Sequence, residues 1–226
     1  QRQTLAARVP GLLERVAWLE HLPAAGYRGV VVANELLDAM PVQRFRAAQG
    51  RILEQYVAWQ SDGFCRVWSE PSSPEFADAV GALLQRLGGR DDYESEINLR
   101  ASAWLASVAE FIQSGLLLLI DYGYSCAEYY HPQRNRGTLM CHYRHRAHPD
   151  PLLLPGLQDI TAHVDFSALA DAALRQRLHI GGWTTQAAFL MGCGLETLLA
   201  GSDPEDVRNH LQLMQGVKML TLPSEM

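Results

Sequence analysis

Glu35 and Asp38 lie three residues apart in Asn34-Glu35-Leu36-Leu37-Asp38-Ala39-Met40-Pro41, directly after an apolar run. If a helical turn begins at Glu35, both carboxylates fall on one face and converge on one pocket. Such a pair can bind a cationic group, hold a metal or divide general acid and base work, and carboxylates grip a guanidinium through bidentate hydrogen bonds. The same residues also suit a plain helix start, because Asn is a good N-cap and acids favour the positive end of the helix dipole. Spacing alone leaves both readings open.

Asp121-Tyr122-Gly123-Tyr124-Ser125 follows a second apolar run and sets an acid, two rings and a glycine where backbone can approach a ligand. These are ordinary turn residues as well. In Thr161-Ala162-His163-Val164-Asp165-Phe166 a period of two puts His163 and Asp165 on one strand face, so the carboxylate could orient the imidazole or simply make a structural hydrogen bond. Cys141, His142, His145 and His148 have the side chains of zinc ligands. Their spacing matches no closed site, and Arg144 and Arg146 would set positive charge beside the ion, so a basic polar loop is expected and no metal. Gly-x-Gly-x-x-Gly, P-loop, Gly-x-Ser-x-Gly and His-Glu-x-x-His patterns are absent, which disfavours dinucleotide, P-loop, serine hydrolase and zincin chemistry for this segment.

The elements that must position these residues follow from apolar spacing. Residues 1–18 read as a helix broken by Pro10 and Gly11, with a short strand at 16–19. Residues 29–33 and 116–120 are apolar runs without polar alternation, the pattern of strands buried on both faces of a parallel sheet. Between them, 42–47, 52–59 and 64–68 are separated by turn signals at Gly50 and Ser61-Asp62-Gly63 and read as an antiparallel meander, an insertion over 42–70. Helices are expected at 76–87 and 99–113, joined by a polar, glycine-containing stretch. Residues 124–155 read as a long functional loop with one strand near 138–143. A strand at 159–164, a helix at 166–177, a strand turning into helix at 183–190 and a helix at 203–215 complete the chain. Two strands that each stop at a carboxylate, with helices between, predict an open α/β sheet whose ligand site lies beyond the strand carboxyl ends.

With 226 residues and 48% hydrophobic content the chain can bury a sizeable core and is read as one domain over 1–226 with an inserted lobe. Its net charge of −6 argues against a nucleic-acid partner, which would need a surplus of Lys and Arg. The four cysteines have no framework spacing and suit a reducing compartment. No apolar stretch approaches the roughly 20 residues of a spanning helix, so no membrane insertion is expected.

Four motifs occur in order: residues 33–42, Leu119-Ile120-Asp121-Tyr122-Gly123-Tyr124, Gln158-Asp159-Ile160-Thr161-Ala162-His163-Val164-Asp165-Phe166, and Thr185-Gln186. Together they resemble the MidA-like methyltransferases, whose relatives include the mitochondrial complex I assembly factor that methylates arginine.

This resemblance implies a class I methyltransferase-like (Rossmann-like) open α/β sheet with an inserted antiparallel β and helical lobe, and S-adenosyl-L-methionine as methyl donor. It implies a protein substrate, an arginine in the best-understood branch, and is compatible with a homodimer. The family's glycine-rich cofactor loop and the acid closing its second strand would precede Gln1, and the chain stops near Pro223 before the last expected strand, a fold truncated at both ends. Asn34, Asp121 and Tyr122 are then expected on the cofactor side, and Tyr124, Asp165 and Gln186 on the substrate side. Glu35 and Asp38 would clamp the guanidinium, with His163 or Asp121 accepting a proton. The expected location is a bacterial cytoplasm, or the mitochondrial matrix in a eukaryote. A non-catalytic assembly protein on the same fold, docking through 124–155, is the alternative, and a zinc enzyme built on the Cys141–His148 cluster a third.

Overall fold

The computed structural model describes residues 1–144, 146–201 and 206–222, in two compact units, Gln1–Leu178 and His179–Met226. The first unit opens with α1 (Arg2–Arg8), which gives way to a 3-10 turn at Pro10–Arg15 as Pro10 predicts. The strand expected at 16–19 does not form; these residues carry no ladder partner.

β1 (Tyr27–Asn34) is followed by β2 (Gln43–Ala48), β3 (Arg51–Gln60) and β4 (Gly63–Ser69), which make the antiparallel meander read from the turn signals. α2 (Pro74–Arg86) starts where Ser73 accepts the Phe76 N–H at 3.2 Å with Pro74 in the first turn, a capped start that local chemistry specifies. The polar stretch after it holds an unexpected strand, β5 (Tyr93–Ile97), on the far side of β2, so the sheet order is β4-β3-β2-β5. Arg44 faces Glu96 and Arg46 faces Glu94 across this ladder, and the alternating charges that disguised β5 in the sequence are what pair it. α2 lays Phe76, Val80, Leu83 and Leu84 on this sheet against Phe45 and Tyr93. Burying each such side chain stabilises by about 1.5–3 kcal/mol.

Asn98 caps α3 (Leu99–Phe111) by accepting the Ala101 N–H, and the helix runs straight into β6 (Ile112–Ile120), two residues short of the expected helix end. β6 pairs in parallel with β1, Val30 opposite Leu116 and Asn34 opposite Ile120. Leu117 and Leu119 pack on the cluster of Leu105, Leu169 and Ala172. The other face differs from the expectation of two-sided burial: within this chain Val30, Val32 and Leu116 are 57%, 59% and 50% exposed.

The expected long loop contains β7 (Gly123–Tyr124), α4 (Cys126–Tyr129), β8 (Met140–Tyr143) and β9 (Arg146–His148). The strand expected at 159–164 divides into β10 (Asp159–Thr161), on β8, and β11 (Val164–Asp165), parallel to β7, with α5 (Phe166–Arg175) following. Cys141 and His148 face each other across β8 and β9, while His145 lies outside the described residues. Among the described residues no three Cys, His, Asp or Glu side chains gather around a metal-sized space.

The second unit is helical: α6 (Gln186–Gly192), α7 (Leu195–Ala200) and α8 (Val207–Thr221). Residues 183–185 are not a strand, and Thr185 caps α6 through the Ala188 N–H. The expected helix start at Asp203 and the chain end at 223–226 lie outside the described residues. No described helix is long and apolar enough to cross a membrane.

Candidate functional site at the ends of β1 and β6

The ladder between β1 and β6 delivers two chain segments side by side. Its last bond is the Glu35 N–H to the Ile120 carbonyl, 2.9 Å. No helical turn starts there. Glu35 instead adopts φ 47°, a left-handed conformation that strains a residue with a Cβ, and residues 36–40 form an irregular turn. The turn is held from the neighbouring strand: Asp121 Oδ2 accepts the N–H groups of Leu37 at 2.9 Å and Asp38 at 3.3 Å, and Oδ1 accepts that of Tyr122 at 2.9 Å. Asp121, rather than an Asn34 cap on a helix start, satisfies the backbone donors of this turn. On the other side Asn98 donates to the Leu37 carbonyl at 3.3 Å, and the Asp38 carbonyl accepts the Ala162 N–H at 3.0 Å.

This backbone arrangement separates the two carboxylates in character. Glu35 is exposed and accepts the Tyr122 hydroxyl at 3.4 Å, whereas Asp38 is buried and its Oδ1 has no hydrogen-bond partner. Burial pushes the Tyr122 phenol up, with Glu35 adding to it, so the hydroxyl stays a donor. Burial also raises the Asp121 carboxyl, aided by the Asp38 charge and opposed by the backbone N–H groups.

His163 joins from the β10–β11 connection. Its backbone N–H donates to Thr138 Oγ1 at 2.9 Å, and its ring stacks on Tyr124 with centroids 5.0 Å apart and 14° between planes. The Arg134 guanidinium covers Tyr124 at 4.2 Å. Burial and then the Arg134 charge lower the His163 pKa, so the imidazole is held neutral. Gly123 lets β7 approach β11: a Cβ there would overlap the Val164 carbonyl, whose residue also donates its N–H to Tyr122 O at 2.7 Å.

Glu35, Asp38, Asp121 and Tyr122 are therefore brought together, with Tyr124 and His163 stacked beside them and Asn34 exposed at the end of β1. Asp165 is engaged elsewhere: it caps α5 by accepting the Ser167 and Ala168 N–H groups at 3.0 and 3.2 Å and makes no bond to His163. Burial raises its carboxyl despite those bonds. Gln186 belongs to the second unit, where its side chain donates to the Leu220 carbonyl at 2.9 Å. Sequence reasoning missed Asn98, Arg134 and Thr138, and the Arg-x-Arg opposite Glu-x-Glu pattern of 44–46 and 94–96 was the available sign of the sheet behind them.

An acceptor-rich rim with one buried, unpartnered carboxylate oxygen fits a ligand that brings positive charge or hydrogen-bond donors. Concavities are lined by Leu211, Met214 and Lys218 on α8 and, separately, by Ile52, Ser73 and Pro74 beside the start of α2.

Residues 1–184 match the family described as "putative S-adenosyl-L-methionine-dependent methyltransferase". The mitochondrial protein arginine methyltransferase NDUFAF7 homolog of Drosophila melanogaster is 31% identical over 210 residues, 87% of this chain and 44% of its own length. Human mitochondrial protein arginine methyltransferase NDUFAF7 is 29% identical over 202 residues, 86% of this chain and 42% of its own. A Burkholderia thailandensis protein crystallised with S-adenosyl-homocysteine is 41% identical, with a TM-score of 0.90 over 100% of this chain and 57% of that one. The chain thus spans less than half the length of these curated relatives.

Proposed function

Because the chain belongs to this S-adenosyl-L-methionine-dependent methyltransferase family, with a methyltransferase-like α/β fold, we propose that it is part of an enzyme that methylates a protein arginine. The observation that carries this reading is the turn pinned by Asp121, which gathers Glu35, Asp38 and Tyr122 at the carboxyl ends of parallel strands. The names of the curated relatives favour arginine as the acceptor. A role in respiratory complex assembly is part of the same proposal.

Asn34 and Tyr122 would line the cofactor side, while Asp121 holds the turn. S-adenosyl-L-methionine supplies a methyl group already activated on a sulfonium centre. What remains for the protein is to align the acceptor nitrogen and exclude water. An arginine side chain is essentially always protonated in solution, so it must be held by carboxylates and must lose a proton as the carbon–nitrogen bond forms. Glu35 and Asp38 would clamp the guanidinium and draw its charge away from the attacking nitrogen. His163, kept neutral beside Arg134, would accept the proton.

The test is methylation of a protein substrate by the complete gene product, alongside calorimetric titration of S-adenosyl-L-methionine. Glu35→Gln and Asp38→Asn should each lower kcat/KM at least about tenfold, roughly 1.4 kcal/mol, with cofactor affinity unchanged. Full activity in both variants would end the clamp assignment, and failure of the complete protein to bind the cofactor would end the methyltransferase reading.

A further inference from the structure

We propose that Glu96, on the four-stranded sheet, is a positioning residue for His163 and acts through Thr138. Glu96 is 0% exposed. Its Oε1 accepts three protons, from the Thr138 N–H at 2.6 Å, the Thr138 hydroxyl at 2.8 Å and the Tyr129 hydroxyl at 3.0 Å. Its Oε2 faces Arg44 Nε at 3.8 Å, and neither of those two buried atoms has another partner, so the ion pair is the electrostatic complement of the buried carboxylate. Gly137, at φ 76°, makes the approach feasible, since a Cβ there would overlap Oε2.

The link to the site runs through a single oxygen. A threonine hydroxyl has one proton to donate and two lone pairs. A carboxylate only accepts, so Glu96 draws the Thr138 proton toward itself and leaves a lone pair for the backbone N–H of His163 at 2.9 Å. The segment that carries the imidazole is thereby fastened to β5, whose Tyr93 hydroxyl also donates to the Arg134 carbonyl at 3.4 Å. A buried ion pair is not needed to stabilise a sheet, because apolar residues of like volume serve as well. Its placement one hydroxyl away from His163 gives it a reason to be there. The groups facing the imidazole are Tyr124 stacked on it, Arg134 beyond that ring and Asp38 from the turn after β1.

This proposal rests on the reading of His163 as a site residue, but its test does not require turnover. In the chain labelled with 13C-histidine, the His163 ring signals are assigned by their loss in His163→Gln. Thr138→Val and Glu96→Gln should displace those signals, while Thr138→Ser, which keeps the hydroxyl, should leave them in place. In the complete enzyme the first two variants should lower kcat severalfold with the S-adenosyl-L-methionine Kd unchanged, and Thr138→Ser should retain kcat. Should Glu96→Gln fail to fold, the contrast between Thr138→Val and Thr138→Ser decides. Unmoved His163 signals in a folded Thr138→Val protein, or equal displacement by Thr138→Ser, would overturn the proposal. Displaced signals together with a wild-type enzyme that transfers no methyl group would uphold the positioning and reject the proposed function.

Discussion

The carboxylate of Asp121, at the end of β6, accepts the backbone N–H of Leu37 from the turn after β1, 84 residues earlier, at 2.9 Å. A side chain on one parallel strand thus organises the irregular turn that follows its neighbour. Asp121→Ala removes the acceptor for three backbone donors and should destabilise the chain by about 1–3 kcal/mol. Asp121→Asn, which retains one acceptor oxygen, should lose less. Denaturant unfolding at neutral pH checks the order of the two variants.

Tyr122→Phe deletes the hydroxyl that donates to Glu35 while keeping the ring. A single exposed hydrogen bond of this length contributes about 0.5–1.5 kcal/mol, so stability should fall by no more than that. If Glu35 holds the acceptor, freeing its carboxylate from this bond should raise KM for the protein substrate severalfold with little change in kcat. Steady-state kinetics on the complete enzyme read this directly.

His163 should titrate below the usual value of about 6.5, because burial and Arg134 both disfavour its charged form. Between the folded value and 6.5 the unfolded chain binds the extra proton, so this group's contribution to stability is present above 6.5 and is lost as pH falls through the folded value. Arg134→Gln should move the titration upward, since it removes the second-largest cause. NMR titration of the ring signals tests the direction, and no change in the variant would show that burial alone sets it.

Gly137→Ala should destabilise the chain by about 1 kcal/mol or more from its left-handed φ alone, with a further loss as Glu96 is displaced. Thermal unfolding measures the loss. The His163 ring signals should shift in the same variant, because Thr138 follows the glycine directly.

Local chemistry made much of this molecule readable. Ser73-Pro74 announces α2, Pro10 breaks the first helix, and Ser61-Asp62-Gly63 turns β3 into β4, each because the signal and its consequence lie within a few residues. The apolar runs at 29–33 and 116–120 marked the parallel pair, and the acids that follow them lie at its carboxyl ends, in the candidate site. β5 escaped because its Glu-x-Glu alternation looks like a solvated face until Arg44 and Arg46 are placed opposite.

What the sequence by itself determined was the type of most elements and the identity of the acidic motifs, since apolar period and turn chemistry are properties of a short stretch of chain. Only the tertiary structure decided what those motifs do. Glu35 and Asp38 do not share a helical face, because Asp121 reaches across the ladder and satisfies the turn with its own carboxylate. Asp165 caps a helix and makes no bond to His163, and Glu96 is buried against Thr138. Cross-strand contacts such as the Asp121–Leu37 bond, between residues 84 positions apart, depend on strand register, and no periodicity within either segment encodes them.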